Sequence, residues 1–194
     1  MKKTYFLQHH PKKDMALFSA IANDLGVGFQ AIGSADELTN YLNSKDVDIS
    51  DLSEARTSDQ ITSMSVFGHG FAGSAEFAYQ PNGEFPNTFT WSNDNARQLN
   101  SGAFNNATID LYTCNSATNT AAGNYSSLGA TLSRQTGSTV TGYRGQSSYI
   151  HMNTGQGFGA KWNRFMSGFN TSGSMRLPQA SQGATRIKFL PHVR

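Results

Sequence analysis

Apolar and β-branched residues come in short runs along this chain, and amphipathic stretches separate them. Thr4–Gln8 (TYFLQ) predicts a short buried strand, closed by His9, His10 and Pro11. Asp14 suits the N-cap of a helix carrying Leu17, Phe18, Ile21 and Leu25 on one face, with Gly26 at its stop. Val27–Ile32 predicts a second strand. Ser34 and Glu37 stand in capping-box spacing and open a helix with Leu38, Tyr41 and Leu42 inward. The polar, acidic segment Asp46–Gln60 reads as a surface connection.

Ile61–Phe67 is the third strand, ending at Gly68-His69-Gly70, and Ser74–Tyr79 alternates like a short extra strand beside it. Ser92–Gly102 reads as a polar helix containing Ala96 and Leu99. Thr108–Thr113 is the fourth strand, running into Cys114. Tyr125, Leu128 and Leu132 recur at helical spacing up to Gly137, and Ser138–Tyr143 is the fifth strand. Phe158, Trp162, Phe165, Met166 and Phe169 define one more helix face, better suited to core packing than to a ligand box. Thr185–Leu190 supplies a last strand. This βαβα alternation predicts an α/β fold of one domain over residues 1–194. Its mostly parallel sheet of about six strands carries helices on both faces, a three-layer α/β/α sandwich.

Composition narrows the function. A formal charge of +2 and the lack of any long Lys/Arg run argue against nucleic acid as a partner. No stretch approaches the roughly 20 apolar residues of a membrane span. The opening apolar run stops at Gln8, short of the about 7–15 residues of a signal peptide. The expected location is therefore the cytoplasm, or export without an N-terminal signal peptide. The single cysteine excludes an intrachain disulfide and a cysteine-only zinc site. The acids Asp46, Asp48, Asp51 and Glu54 follow no metal-loop spacing. A metal held by His9, His10, His69 and Cys114 is chemically feasible, but no spacing calls for it, and no cofactor is expected.

The candidate chemistry lies at two strand ends. His69 follows one apolar strand and Cys114 follows another, 45 positions later. In an open parallel sheet, chemistry gathers outside the carboxyl ends of the strands. Neighbouring strands are about 4.8 Å apart, so the two residues would face each other as a thiol nucleophile and an imidazole base. A lone cysteine is otherwise most often a small buried hydrophobe, and a lone histidine a loop residue. Joint placement after two strands is what favours the pair. Gly70 N–H and Cys114 N–H are the natural oxyanion donors, and Gly70 would let a substrate backbone approach closely.

The strings SVFGHGFAGSAEF and IDLYTCNSA resemble the histidine and cysteine blocks of the caspase-like (clan CD) cysteine peptidases, especially the separase and gingipain branches. The resemblance covers roughly Ile61–Tyr149, and the earlier βα units in pattern only. It implies a caspase-like fold, a thiol protease acting on peptide or protein substrates, His69 as general base, Cys114 as nucleophile, and Gly70 in the oxyanion hole. It also implies that the loop after the first strand helps form a substrate pocket, which His9 or His10 would line; the alternative is two exposed histidines before a Lys-Lys turn. Arg144, in the loop after the fifth strand, either pairs with an acidic substrate group or is a solvated cation. The chain departs from the family in Asn115-Ser116-Ala117, where many relatives carry a Ser-Gly pair, and in Tyr112, where some carry an acid. Two further readings stay open: a catalytically inactive interaction module on the same scaffold, and another acyl-transfer enzyme using the same nucleophile. The class includes bacterial effector and toxin-processing domains, and the Asn-, Ser- and Gly-rich composition is compatible with either.

Overall fold

The computed structural model describes residues 2–7, 22–23, 28–32, 34–44, 56–57, 59–76, 90–120, 126–148 and 178–191. Six strands form the main sheet: β1 (Lys2–Leu7), β2 (Gly28–Ile32), β3 (Ile61–Phe67), β7 (Phe104–Tyr112), β8 (Thr139–Arg144) and β11 (Thr185–Phe189). Their order is β2-β1-β3-β7-β8-β11, and only β11 runs antiparallel to its neighbour. The mostly parallel α/β sheet expected from the alternation is therefore present. Strand order reverses beside β1, where β2 lies on one side and β3 on the other. Such a switch point opens a crevice at the carboxyl ends of the strands.

The sheet's two faces differ in chemistry. Met64 is opposite Ile109 and Val66 opposite Leu111, and Ile109 is opposite Val140; all are buried in one apolar cluster. Residues one position away, Ser63, Ser65, Thr108, Asp110, Thr139 and Thr141, point to the other face and are half-buried or exposed. Towards the carboxyl ends this second face turns aromatic, with Phe67, Tyr112 and Tyr143 buried on it. Three α-helices sit among the described residues, α1 (Ala35–Ser44), α2 (Asn93–Arg97) and α3 (Leu128–Thr136), with a short 3-10 turn at Ser101–Ala103. Their inward residues Leu38, Leu42, Ala96, Leu128 and Leu132 join the same apolar cluster. Each fully buried leucine contributes about 1.5–3 kcal/mol. The helices expected over 14–25 and 158–169 fall outside the described residues, apart from the helical pair Ala22–Asn23.

Local chemistry sets the helix ends. Ser34 Oγ accepts from Glu37 N–H at 3.1 Å, as the capping spacing anticipates. Ser127 caps α3, and Gly137 ends it at φ 65°, a left-handed value that suits glycine. The carboxyl end of α1 is held by an unforeseen partner, Arg56, fully buried within the segment read as a surface connection. Its guanidinium donates to Leu42 O at 3.1 Å, Tyr41 O at 2.7 Å and Asp59 O at 3.2 Å. It also lies 5.0 Å from the Tyr41 ring centroid.

A second, three-stranded antiparallel sheet leaves the main one after β3. It comprises β4 (His69–Phe71), β5 (Ser74–Glu76) and β6 (Thr90–Ser92), in that order. The two-residue turn between β4 and β5 uses Gly73 at φ 85°. Trp91, fully buried on β6, donates from Nε1 to Thr39 Oγ1 at 3.1 Å and so anchors this small sheet to α1. Two further strands, β9 (Ser147–Ser148) and β10 (Gln179–Ala180), pair antiparallel beyond the end of β8. Among the described residues no helix is long and apolar enough to cross a membrane.

Candidate active site at the carboxyl edge of the sheet

β3 and β7 are parallel neighbours, with Phe67 opposite Tyr112 at their carboxyl ends. The chain continues past these ends to His69 and Cys114 respectively, so both follow adjacent strands on one sheet edge. His69 is exposed, as the first residue of β4 rather than part of a loop, and Cys114 is half-buried. What joins them is Gly70. A Cβ built on Gly70 would stand 2.2 Å from Cys114 O, 2.9 Å from Thr113 Cβ and 3.1 Å from Cys114 N. The backbone directly after the histidine therefore lies flat against the cysteine's own peptide. The space that glycine leaves open is filled by Cys114, not held free for a substrate backbone.

The hairpin geometry sets what Gly70 can donate. Phe71 and Ser74 close a two-residue turn, so they form the hydrogen-bonded pair. Alternation makes Gly70 and Ala75 the next, non-hydrogen-bonded pair. The Gly70 N–H consequently points away from β5, outside the β4–β5 ladder.

Cys114 opens a tight turn. Asn115 adopts φ 55°, a left-handed conformation that asparagine tolerates better than most residues. Its N–H donates to Gly145 O at 2.8 Å. Ser116 Oγ donates to Thr113 O at 2.9 Å and accepts from Tyr143 N–H at 3.0 Å, while Ala117 N–H donates to Tyr143 O at 2.9 Å. The turn is thereby stitched to β8 and to the loop after it. The thiol itself meets Ser147: the Ser147 N–H donates to Sγ at 3.3 Å, with Ser147 Oγ at 3.6 Å and its carbonyl at 3.8 Å.

The other expected site residues are distributed differently. Arg144 is exposed at the end of β8, opposite Thr185 of β11, and Ser147 of the same loop is the residue that reaches the thiol. Nothing in the string GQSS distinguishes Ser147; its role follows from the β9–β10 pairing, a contact between distant segments. His9 and His10 lie outside the described residues. Tyr112 is buried and stacks on Phe67 at 4.6 Å between ring centroids. The Arg186 guanidinium lies 6.0 Å from the Tyr112 ring centroid and pairs with Asp110 at 2.6 Å. Among the described residues no three His, Cys, Asp or Glu side chains gather closely enough to hold a metal ion. An open groove of about 600 Å³ lined by Ser126, Arg134, Lys188 and Leu190 lies near the start of β8, at the sheet edge opposite Cys114.

Burial pushes the Tyr112 phenol well above its ordinary value, with the Asp110 charge adding to the rise and Arg186 opposing it. Tyr143 is raised too, again chiefly by burial. In an unfolded chain both would ionise near pH 10. From about that pH upward the unfolded state loses protons first, so folding stability should fall as pH rises, by at most about 1.4 kcal/mol per pH unit for each group. Tyr112→Phe should make the fall shallower. Denaturant unfolding at pH 9, 10 and 11 measures it, and equal slopes in the two proteins would show that Tyr112 does not drive the effect.

Conserved-family models return no match to this chain, nor do curated proteins or solved structures.

Proposed function

We propose that this chain is a cysteine endopeptidase of caspase-like architecture, a three-layer α/β/α protein in which His69 and Cys114 act as a catalytic pair. The observation that carries the reading is the close packing of Gly70 against the Cys114 peptide. It brings the histidine strand to the cysteine turn at the carboxyl edge of adjacent parallel strands. Thiolate and imidazole are the two groups that acyl transfer needs there.

In this mechanism the Cys114 thiol gives its proton to His69, and Sγ attacks the carbonyl carbon of a peptide bond. The negative charge that develops on the carbonyl oxygen is met by N–H groups, with Gly70 and Cys114 as donors. The intermediate collapses, the C–N bond breaks, and His69 returns the proton to the leaving amine. Water, deprotonated by His69, then cleaves the thioester and regenerates the thiol. The Ser147 N–H lies 3.3 Å from the sulfur and borders the attacking atom. Substrates are peptides or unfolded protein segments; His9, His10 and Arg144 remain candidates for reading their side chains.

The test is digestion of a peptide library by the full chain, with Cys114→Ala as the control. Cleavage by the wild type that disappears in the variant supports the proposal. Cleavage that survives in Cys114→Ala overturns it. No cleavage, with Cys114 alkylated no faster than a free thiol, would also overturn it and favour the non-catalytic module.

A further inference from the structure

Glu76 lies directly opposite His69 in the β4–β5 ladder. Residues directly opposite in an antiparallel pair share one face, with Cβ atoms about 4.5–5.5 Å apart. Glu76 is 4 % exposed, an unusual position for a carboxylate. It is held on both oxygens: Ser74 Oγ donates to Oε1 at 2.7 Å and Thr90 Oγ1 donates to Oε2 at 2.6 Å. The Thr90 contact comes from β6, where Thr90 is itself opposite Glu76. Three strands thus align His69, Glu76 and Thr90 across one face. Each carboxylate oxygen has two lone pairs, so one acceptor position on each remains after the hydroxyls are counted.

We infer that Glu76 is the positioning residue of the catalytic pair: with the His69 ring turned across the ladder towards β5, the carboxylate would accept an N–H from one ring nitrogen and leave the other nitrogen for the thiol. This rests on the reading of His69 and Cys114 as a pair. A base oriented by a third, hydrogen-bonded group is the arrangement nucleophilic catalysis requires. The carboxylate fixes the ring's rotation and tautomer, and it stabilises the imidazolium that forms when the thiol ionises. Ser74 and Thr90 keep the carboxylate from swinging away. The competing role, a buried carboxylate that only ties the hairpin together, would not involve the histidine at all.

The two roles are separated by the pH profile of Cys114 alkylation by iodoacetamide in the full chain, for wild type, His69→Ala, Glu76→Gln and Arg56→Met. If Glu76 positions the base, Glu76→Gln slows alkylation at pH 7 about tenfold and moves the acid limb towards that of His69→Ala. Arg56→Met, which removes a buried group remote from the pair, then lowers the melting temperature and changes alkylation less than about twofold. A Glu76→Gln profile that overlays wild type, or an equal loss in Arg56→Met, overturns the inference while leaving the pair intact. A wild type no faster than His69→Ala removes the pair itself, and Glu76's role with it. Should Glu76→Gln fail to fold, nitrogen NMR of His69 in the wild-type protein decides. A single hydrogen-bonded tautomer supports the inference, and the tautomer mixture of a free imidazole overturns it.

Discussion

Gly70→Ala is expected to slow Cys114 alkylation, and with it the proposed peptide hydrolysis, about 100-fold and to cost about 2–3 kcal/mol of stability. The added methyl would stand 2.2 Å from Cys114 O, with Thr113 Cβ and Cys114 N also within about van der Waals overlap. None of these is the end of a flexible side chain. Two are backbone atoms of the Cys114 turn, which is tied by hydrogen bonds to Gly145 and Tyr143. Relief must come from moving β4 away from Cys114, and a displacement of about 1 Å can cost 100-fold in rate. Gly137→Ala is the matched comparison. Its Cβ would meet nothing within 4 Å, but φ 65° makes the substitution strained, so it should cost about 1–2 kcal/mol and leave alkylation unchanged. Alkylation of Gly70→Ala at the wild-type rate would show that the contact does not set the site.

Arg56→Met should lower stability by about 3 kcal/mol, with no direct effect on the thiol. Arg56 is fully buried and satisfies two carbonyls at the end of α1, Tyr41 O and Leu42 O, together with Asp59 O. Methionine keeps an apolar stem but leaves those acceptors without their donor. Each orphaned buried acceptor costs about 1–3 kcal/mol. Residual access to water and the half-exposed Asp59 keep the total below the sum. For a chain of this size the loss corresponds to roughly 6–12 °C in melting temperature. Arg56→Lys should lose more than half as much, because an ammonium cannot span three carbonyls as the planar fork does. A melting temperature within about 2 °C of wild type in Arg56→Met would show that water replaces the guanidinium without penalty.

These two residues show where sequence reading succeeds and where it stops. Ile61–Phe67 was legible because its apolar residues and abrupt glycine stop are local signals, and the strand occupies those same residues. The end of β7 was legible on the same grounds, but its start was not. The expected strand begins at Thr108, whereas the structure starts it at Phe104, with a register irregularity opposite β3 and Asn106 at φ 46°. β6 is three residues long, too short to display alternation, and exists because β5 supplies its partner. The His-Gly pattern marked Gly70, but not what occupies the space beside it. Ser147, Glu76 and Arg56 act through residues 33, 7 and 14–15 positions away. Such contacts belong to topology, and no periodicity records them.

The separate anchoring of the two strand ends has a mechanical consequence. His69 belongs to a small sheet fastened through Trp91 to Thr39 on α1, whereas Cys114 belongs to a turn fastened to β8. The spacing between them is a tolerance stack, in which small errors from the helix, the indole, the hairpin and the turn would otherwise accumulate. Gly70 resting on the Cys114 carbonyl acts as a hard stop at the end of that stack. It fixes the closest approach of the two parts whatever the slack upstream, so repacking around Trp91 can let them drift apart but cannot press them closer.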